Sequence, residues 1–257
     1  MIMKKIQKEQ LNIQVYETRA EMGKAAAEDL ACKLRELLAT RENLRIIFAS
    51  APSQNEFFAH LATIHDIDFS RITAFHLDEY IGLAADAPQG FGNFLKDRLF
   101  SKILPGKIHF FNGQAENPEA ECERYAALIN EAPIDIVCMG IGENAHIAFN
   151  DPPVADFNDP KLVKIVELDE ICRQQQVNDG CFPTFDDVPT HAVTLTIPAI
   201  IGGETIFCMV PGPTKANAVY NSLEKEISTE YPASILRKKQ GATLYLDKDS
   251  SKMFCKE

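Results

Sequence analysis

Asp78, His146 and Asp151 are the side chains of this chain best placed to move protons near neutral pH, and each stands just past a strand-like run. Imidazole and carboxylate groups act as general acids and bases. A carboxylate five residues after a histidine can hold the ring in one tautomer. His146 and Asp151 belong to the run Gly140-Ile141-Gly142-Glu143-Asn144-Ala145-His146-Ile147-Ala148-Phe149-Asn150-Asp151-Pro152-Pro153. It follows Ile134-Asp135-Ile136-Val137-Cys138-Met139, which is short, β-branched and nearly uncharged, as a strand buried on both faces requires. Gly140 and Gly142 allow a tight turn and close backbone approach. Glu143, Asn144, His146 and Asp151 are thereby crowded beyond the strand's carboxyl end, where open α/β sheets bind ligands.

Three more strand-like runs end in polar groups. Leu44 to Phe48 leads into Ser50-Ala51-Pro52-Ser53-Gln54, Arg71 to Leu77 into Asp78-Glu79, and Thr205 to Val210 into Pro211-Gly212-Pro213-Thr214-Lys215. In a parallel sheet these ends share one edge, so four polar sets predict one pocket. Ser50 and Ser53 read first as helix capping, with an anion cradle at a helix start as the second reading. Lys215 is placed for a phosphate contact, or for a solvated first-turn lysine. The spacing predicts no metal, because His146 has no His or Cys partner at ligand spacing along the chain. A dinucleotide site is not expected either, since Ala145 stands where a third glycine is needed. There is no Gly-x-Ser-x-Gly elbow.

The elements that must position these residues alternate from end to end. Strands are predicted at Leu11 to Glu17, Leu44 to Phe48, Arg71 to Leu77, Lys107 to Phe111, Ile134 to Met139, Leu162 to Leu168, His191 to Ile197, Thr205 to Val210 and Ala242 to Leu246. Helical spacing marks Arg19 to Ala39, Glu56 to Ile64, Phe94 to Ile103, Pro118 to Asn130, the stretch from Asp169 to Gln176, and Lys215 to about Lys225. Asn178 to Pro189 reads as a loop. With no linker or repeat in the chain, residues 1–257 are expected to form one α/β domain. Its predicted architecture is a single doubly wound, mostly parallel, Rossmann-like sheet with helices on both faces.

The formal charge of −11 argues against nucleic acid and anionic membranes as partners. Seven cysteines, an odd number without a Cys-x-x-Cys pair, read as reduced thiols in a cytoplasmic protein. The amino-terminal run lacks the apolar core of a signal peptide, and no apolar run reaches transmembrane length.

Phe75-His76-Leu77-Asp78-Glu79-Tyr80-Ile81-Gly82-Leu83 and Gly140 to Pro152 resemble the two signature stretches of the glucosamine-6-phosphate deaminase (isomerase) family, whose fold is shared with 6-phosphogluconolactonases. The segments around Gly212 to Lys215 and Pro232 to Leu236 also fall where the family has similar ones. The resemblance implies an enzyme of amino-sugar metabolism. It would convert a 2-amino-2-deoxy-hexose 6-phosphate to a ketose 6-phosphate and ammonia, with no metal or organic cofactor. Asp78 would move the proton between C2 and C1, His146 would open the pyranose ring, and Lys215 would bind the phosphate. Ser50, Ser53, Glu79, Gly140 and Gly142 would complete the sugar-phosphate site. Two other readings stand beside it: a lactonase using His146 as base, and a sugar-phosphate-binding member without catalysis.

The departures from the family pattern are specific. Asn144 stands where the family has an aspartate, and Asp151 where it has a glutamate, so the relay around His146 has one carboxylate. On this reading Asn144→Asp restores a second carboxylate and raises turnover. The Thr-Gly-Gly-Thr type of phosphate loop is replaced by Ser50-Ala51-Pro52-Ser53. Gln176 or Asn178, rather than Arg173, takes the place of an expected arginine. The chain ends soon after its last predicted strand, so no allosteric activator site is expected.

Overall fold

The computed structural model describes residues 2–255. Its eleven strands are β1 (Ile2–Lys8), β2 (Leu11–Tyr16), β3 (Leu44–Phe48), β4 (Ile72–His76), β5 (Asp78–Tyr80), β6 (Lys107–Ile108), β7 (Ile136–Met139), β8 (Val163–Glu167), β9 (His191–Leu195), β10 (Thr205–Val210) and β11 (Ala242–Asp247). Eight of them form one sheet in the order β1-β2-β11-β10-β7-β3-β4-β6. All of its pairings are parallel except β1 with β2. The predicted α/β class and mostly parallel sheet are the observed ones.

Alternation along the central strands explains the layers. Val137 and Met139 of β7, Ile47 of β3 and Cys208 of β10 face one core. That core is covered by Tyr125 of the helix Pro118–Asn130 and Val219 of the helix Ala216–Glu224. Ile136, Cys138, Phe48 and Met209 face the other core, which is covered by Met22, Leu30 and Leu34 of the helix Arg19–Leu38 and by Phe57 and Phe58. A strand packed on both sides has no solvent face, which is why β7 is apolar throughout.

Two features depart from the predicted single sheet. β1, unrecognised in the sequence, adds an antiparallel edge strand whose residues are largely exposed or half-buried, so it carries little apolar periodicity. The run through Arg71 to Glu79 is also split. β4 ends at His76, and β5 turns away to form a separate antiparallel sheet in the order β5-β9-β8. His76 anchors the split: its Nε2 accepts the Phe111 N–H at 2.9 Å, and burial pushes its pKa down to about 3, so the ring stays neutral. Among the described residues no helix is long and apolar enough to cross a membrane.

A third core lies beneath the small sheet, centred on Tyr80 and closed by Phe91, Phe149 and Phe182, whose ring centroids lie 4.7, 5.4 and 5.4 Å from that of Tyr80. Tyr80 is fully buried, and among the described residues its hydroxyl has no hydrogen-bond partner. Burying an unpaired hydroxyl is unfavourable, while the ring contributes area and aromatic contacts. Tyr80→Phe should therefore leave stability unchanged or raise it, whereas Tyr80→Ala should cost about 3–5 kcal/mol. Urea unfolding of the two variants checks this, and a Phe variant less stable than the parent would refute it.

Candidate active site

The carboxyl ends of β3, β4, β7 and β10 open into one cleft of about 280 Å³. Ser50, Ser53, Asp78, Gly140, Gly142, His146 and Lys215 all line it. The single pocket predicted from four strand ends is therefore present, with Phe91 and Phe149 contributing aromatic wall.

The loop after β7 sets the histidine. Gly142 donates its N–H to His146 O at 3.0 Å, and Ala145 donates to Gly142 O at 3.0 Å, folding the loop back on itself. A Cβ built on Gly142 would lie 2.1 to 2.4 Å from the imidazole Cε1, Nε2 and Cδ2 atoms, so only glycine lets the ring lie over the backbone. Ala145 and Ala148 have φ of +67° and +49°, a region that L-residues rarely occupy. This strain is held by the surroundings: Ala233 N–H bonds Ala145 O at 2.9 Å, and Asn150 Nδ2 bonds Ile147 O and Leu195 O at 2.9 and 2.8 Å.

His146 Nδ1 lies 2.8 Å from Asp151 Oδ1, in ion-pair contact but without good N–H alignment. Asn144 completes this set as a donor. Its Nδ2 bonds the same Asp151 oxygen at 2.8 Å, and its Oδ1 accepts the His146 N–H at 3.1 Å. Burial alone would raise the Asp151 pKa, but His146, the Asn144 amide and the Cys172 thiol outweigh it and hold the carboxyl below its usual range. An aspartate at position 144 would put two carboxylate oxygens where the 2.8 Å amide bond now lies. The gain expected from Asn144→Asp on sequence grounds took no account of this amide donor.

Asp78 begins β5 and is almost fully buried. Burial raises its pKa well above the ordinary carboxylate value, the neighbouring Glu79 and Asp151 charges add to the rise, and the Phe149 N–H opposes it. A carboxyl displaced toward the working pH is what general-base chemistry needs. Glu79, one residue on, points to the opposite face of its strand and does not line the cleft. It accepts the N–H groups of Tyr80, Phe91 and Gly92 at 3.0, 2.9 and 2.9 Å and so fixes the loop entering the helix Phe91–Leu95.

The opposite wall of the cleft carries Lys215, Ser50 and Ser53. Lys215 is buried, has no carboxylate within ion-pair distance among the described residues, and has its pKa lowered by burial against the distant pull of Asp179 and Glu143. Gly212, at φ +95°, aims this turn by donating to both Asp247 carboxylate oxygens at 3.1 and 3.0 Å. Ser50 Oγ is buried without a partner among the described residues, and Ser53 Oγ accepts from Gln54 Nε2 at 3.0 Å.

Sequence reasoning missed Arg19. It lines the cleft, donates to Pro52 O at 2.9 Å and lies 2.8 Å from Glu56. The available signal was position: β2 runs parallel to β11, so the first residue of the following helix emerges at the same sheet edge. At the site of the missing arginine, Gln176 lines the cleft and Asn178 is exposed. Arg173 turns away, donating to Phe185 O and Val188 O at 2.9 Å and stacking on Phe185. Cys172 was also missed. It packs into the His146–Asp151 pair, and one ligating atom from each of the three residues lies within 4.8 Å of the others. The expectation of no metal rested on the lack of a His or Cys partner at ligand spacing along the chain, whereas the fold brings Cys172 close from 26 residues away.

Residues 17–245 match the family described as glucosamine-6-phosphate isomerases/6-phosphogluconolactonase. The chain belongs to this family. A glucosamine-6-phosphate deaminase of Bacillus cereus (strain B4264) is 33% identical over 240 residues, covering 93% of this chain and 88% of the relative. One of Exiguobacterium sp. is 39% identical over 181 residues, covering 70% and 69%. Among solved structures, a monomeric glucosamine-6-phosphate deaminase superposes with a TM-score of 0.87 at 31% identity, covering 94% of this chain and 99% of that one. A 6-phosphogluconolactonase of Thermotoga maritima shares the fold, with a TM-score of 0.75 at 21% identity over 93% of this chain and 100% of that one.

Two predictions follow from the geometry of this family member's loop. Gly142→Ala must displace the imidazole, and a misplacement of that size costs about 10²-fold in turnover. A structure of the variant should show the His146–Asp151 contact broken, and a variant with full turnover and an unmoved ring would contradict this account. Asn144→Asp should make residues 144 and 151 share a proton, raising the apparent pKa of the pair. Its turnover should fall, with the acidic limb of the pH–rate profile displaced upward; an unmoved limb would show that the amide does not control Asp151.

Proposed function

We infer that this chain is a glucosamine-6-phosphate deaminase: it converts a 2-amino-2-deoxy-hexose 6-phosphate and water to a ketose 6-phosphate and ammonia. The observation that carries the reading is one cleft lined by Asp78 and His146, with Asp151 against the imidazole, and by a buried Lys215 that has no carboxylate within ion-pair distance among the described residues. The phosphate would lie against Lys215, Ser50, Ser53 and the Arg19 guanidinium. His146, oriented by Asp151, protonates the ring oxygen and takes the anomeric hydroxyl proton, which opens the pyranose. Asp78 then removes the C2 proton and returns it to C1. Water adds at C2, the C2–N bond breaks, and ammonia leaves. Gly140 and Gly142 keep the backbone close to the sugar. The work is done by positioned acids and bases, each contributing roughly 10²–10⁴-fold. Seven free thiols fit a reducing, cytoplasmic setting.

Ammonia and fructose-6-phosphate released from glucosamine-6-phosphate test the reading. Acid release from a 6-phosphogluconolactone without ammonia would instead make the chain a lactonase, and saturable binding without turnover would make it a binding member. Asp78→Asn should lose 10²–10⁴-fold in kcat while retaining phosphate affinity.

The same substitution should stabilise the fold. The folded pKa of Asp78 lies above its unfolded value, so the native state holds the extra proton and stability falls as pH rises through the interval between the two. Asp78→Asn removes that fall. Thermal unfolding at pH 5 and pH 8 should show a variant gaining more at the higher pH, and an equal or opposite effect would mean that Asp78 is not a buried, uncompensated acid.

A further inference from the structure

We propose that His146, Asp151 and Cys172 form an inhibitory site for a zinc-class divalent metal ion, in which metal binding and sugar turnover compete for the same histidine. Asp151 and Cys172 have at most 1% of their surface exposed and His146 has 8%, and one ligating atom from each lies within 4.8 Å of the others. Imidazole nitrogen, carboxylate oxygen and thiolate sulfur form a donor set that selects Zn²⁺ and Co²⁺ over Mg²⁺ or Ca²⁺. Two of the polar atoms lack a well-aligned partner among the described residues: His146 Nδ1 is poorly aligned to Asp151, and Asp151 Oδ2 is buried without a well-formed hydrogen bond, the Cys172 thiol being its carboxylate's weak donor. Buried polar atoms so poorly satisfied mark a place where something else can bind.

The fit needs the three ligating atoms, now within 4.8 Å of one another, to draw together, a pair at that limit by roughly an ångström. Zinc-to-ligand distances of about 2.0–2.3 Å place tetrahedral donors roughly 3.3–3.6 Å apart. The 2.8 Å contact between His146 and Asp151 would open by about half an ångström. Asp151 is held by the Asn144 amide, which supports it from behind without competing as a ligand through nitrogen. A carboxylate at position 144 would crowd a second anion into the set. Water from the cleft would take the fourth position.

Binding expels the Cys172 thiol proton and any proton on His146 Nδ1 to solvent, with no change of oxidation state. A metal on Nδ1 locks the imidazole and lowers the basicity of the nitrogen that faces the sugar. His146 can then no longer take and return the ring-opening proton. The inhibitory effect rests on the deaminase reading, whereas occupation of the site does not.

The test uses the full chain stripped with a chelator and titrated with Co²⁺. The expected result is one Co²⁺ per chain with a thiolate-to-cobalt charge-transfer band in the near ultraviolet, bleached by Zn²⁺. Cys172→Ser, which preserves the side-chain volume, should abolish the band and weaken binding by more than about 100-fold, since loss of an outer partner alone costs 10–100-fold. His146→Gln should weaken it similarly. In parallel, stoichiometric Zn²⁺ should inhibit ammonia release from glucosamine-6-phosphate, and EDTA should restore it. Absence of the band in the parent chain overturns the proposal, as does an undiminished band in Cys172→Ser, which would place the metal on another cysteine. A chain that binds Co²⁺ through Cys172 but releases no ammonia from any amino-sugar phosphate would sink the deaminase reading alone.

Discussion

The close approach of the His146 ring to the Gly142 backbone is the constraint on which the site depends. The ring occupies the space where a Cβ would stand, so the loop must run through this one path. Ala145 and Ala148 take left-handed conformations to follow it, and bonds from Ala233 and Asn150 hold them there. Backbone strain persists only where surrounding structure over-determines it. Here that structure is the small β5-β9-β8 sheet and the segment Pro232–Lys238, both far from the loop in sequence. The second sheet therefore serves as a brace that fixes Asp78 on one side and the histidine loop on the other.

Charge is arranged against the overall balance. The chain is acidic, yet the cleft wall around Ser50, Ser53, Arg19 and Lys215 offers cations and unpaired donors. Across from it, Asp78, Asp151 and His146 are buried together. Burial shifts Asp78 upward, while the His146, Asn144 and Cys172 contacts pull Asp151 downward. Two carboxyl groups of the same type are thus separated in acidity by their surroundings, the usual way in which one pocket obtains distinct acid and base roles. Asn144 is central to this division because it adds a donor without adding a charge.

Some of this was legible in the sequence by itself. The apolar run of β7, the glycines after it and the polar groups at four strand ends announced a parallel sheet with a pocket on its carboxyl edge. Local patterns report such features because burial on two faces and tight turns each demand particular residue types within a few positions. Asp78, His146, Asp151 and Lys215 were singled out this way, and all but the buried Asp151 line the cleft. What only the tertiary structure decided was which partner each group received. The pairing of β5 with β9, the turning of Glu79 onto backbone N–H groups, the arrival of Arg19 beside Pro52 and the packing of Cys172 against Asp151 all join residues distant in the chain. The same holds for Asn144, whose identity suggested a missing carboxylate and whose contacts reveal a supporting donor. Hydrophobic periodicity fixes which face of an element is buried, but it carries no information about which side chain the neighbouring element brings to that face.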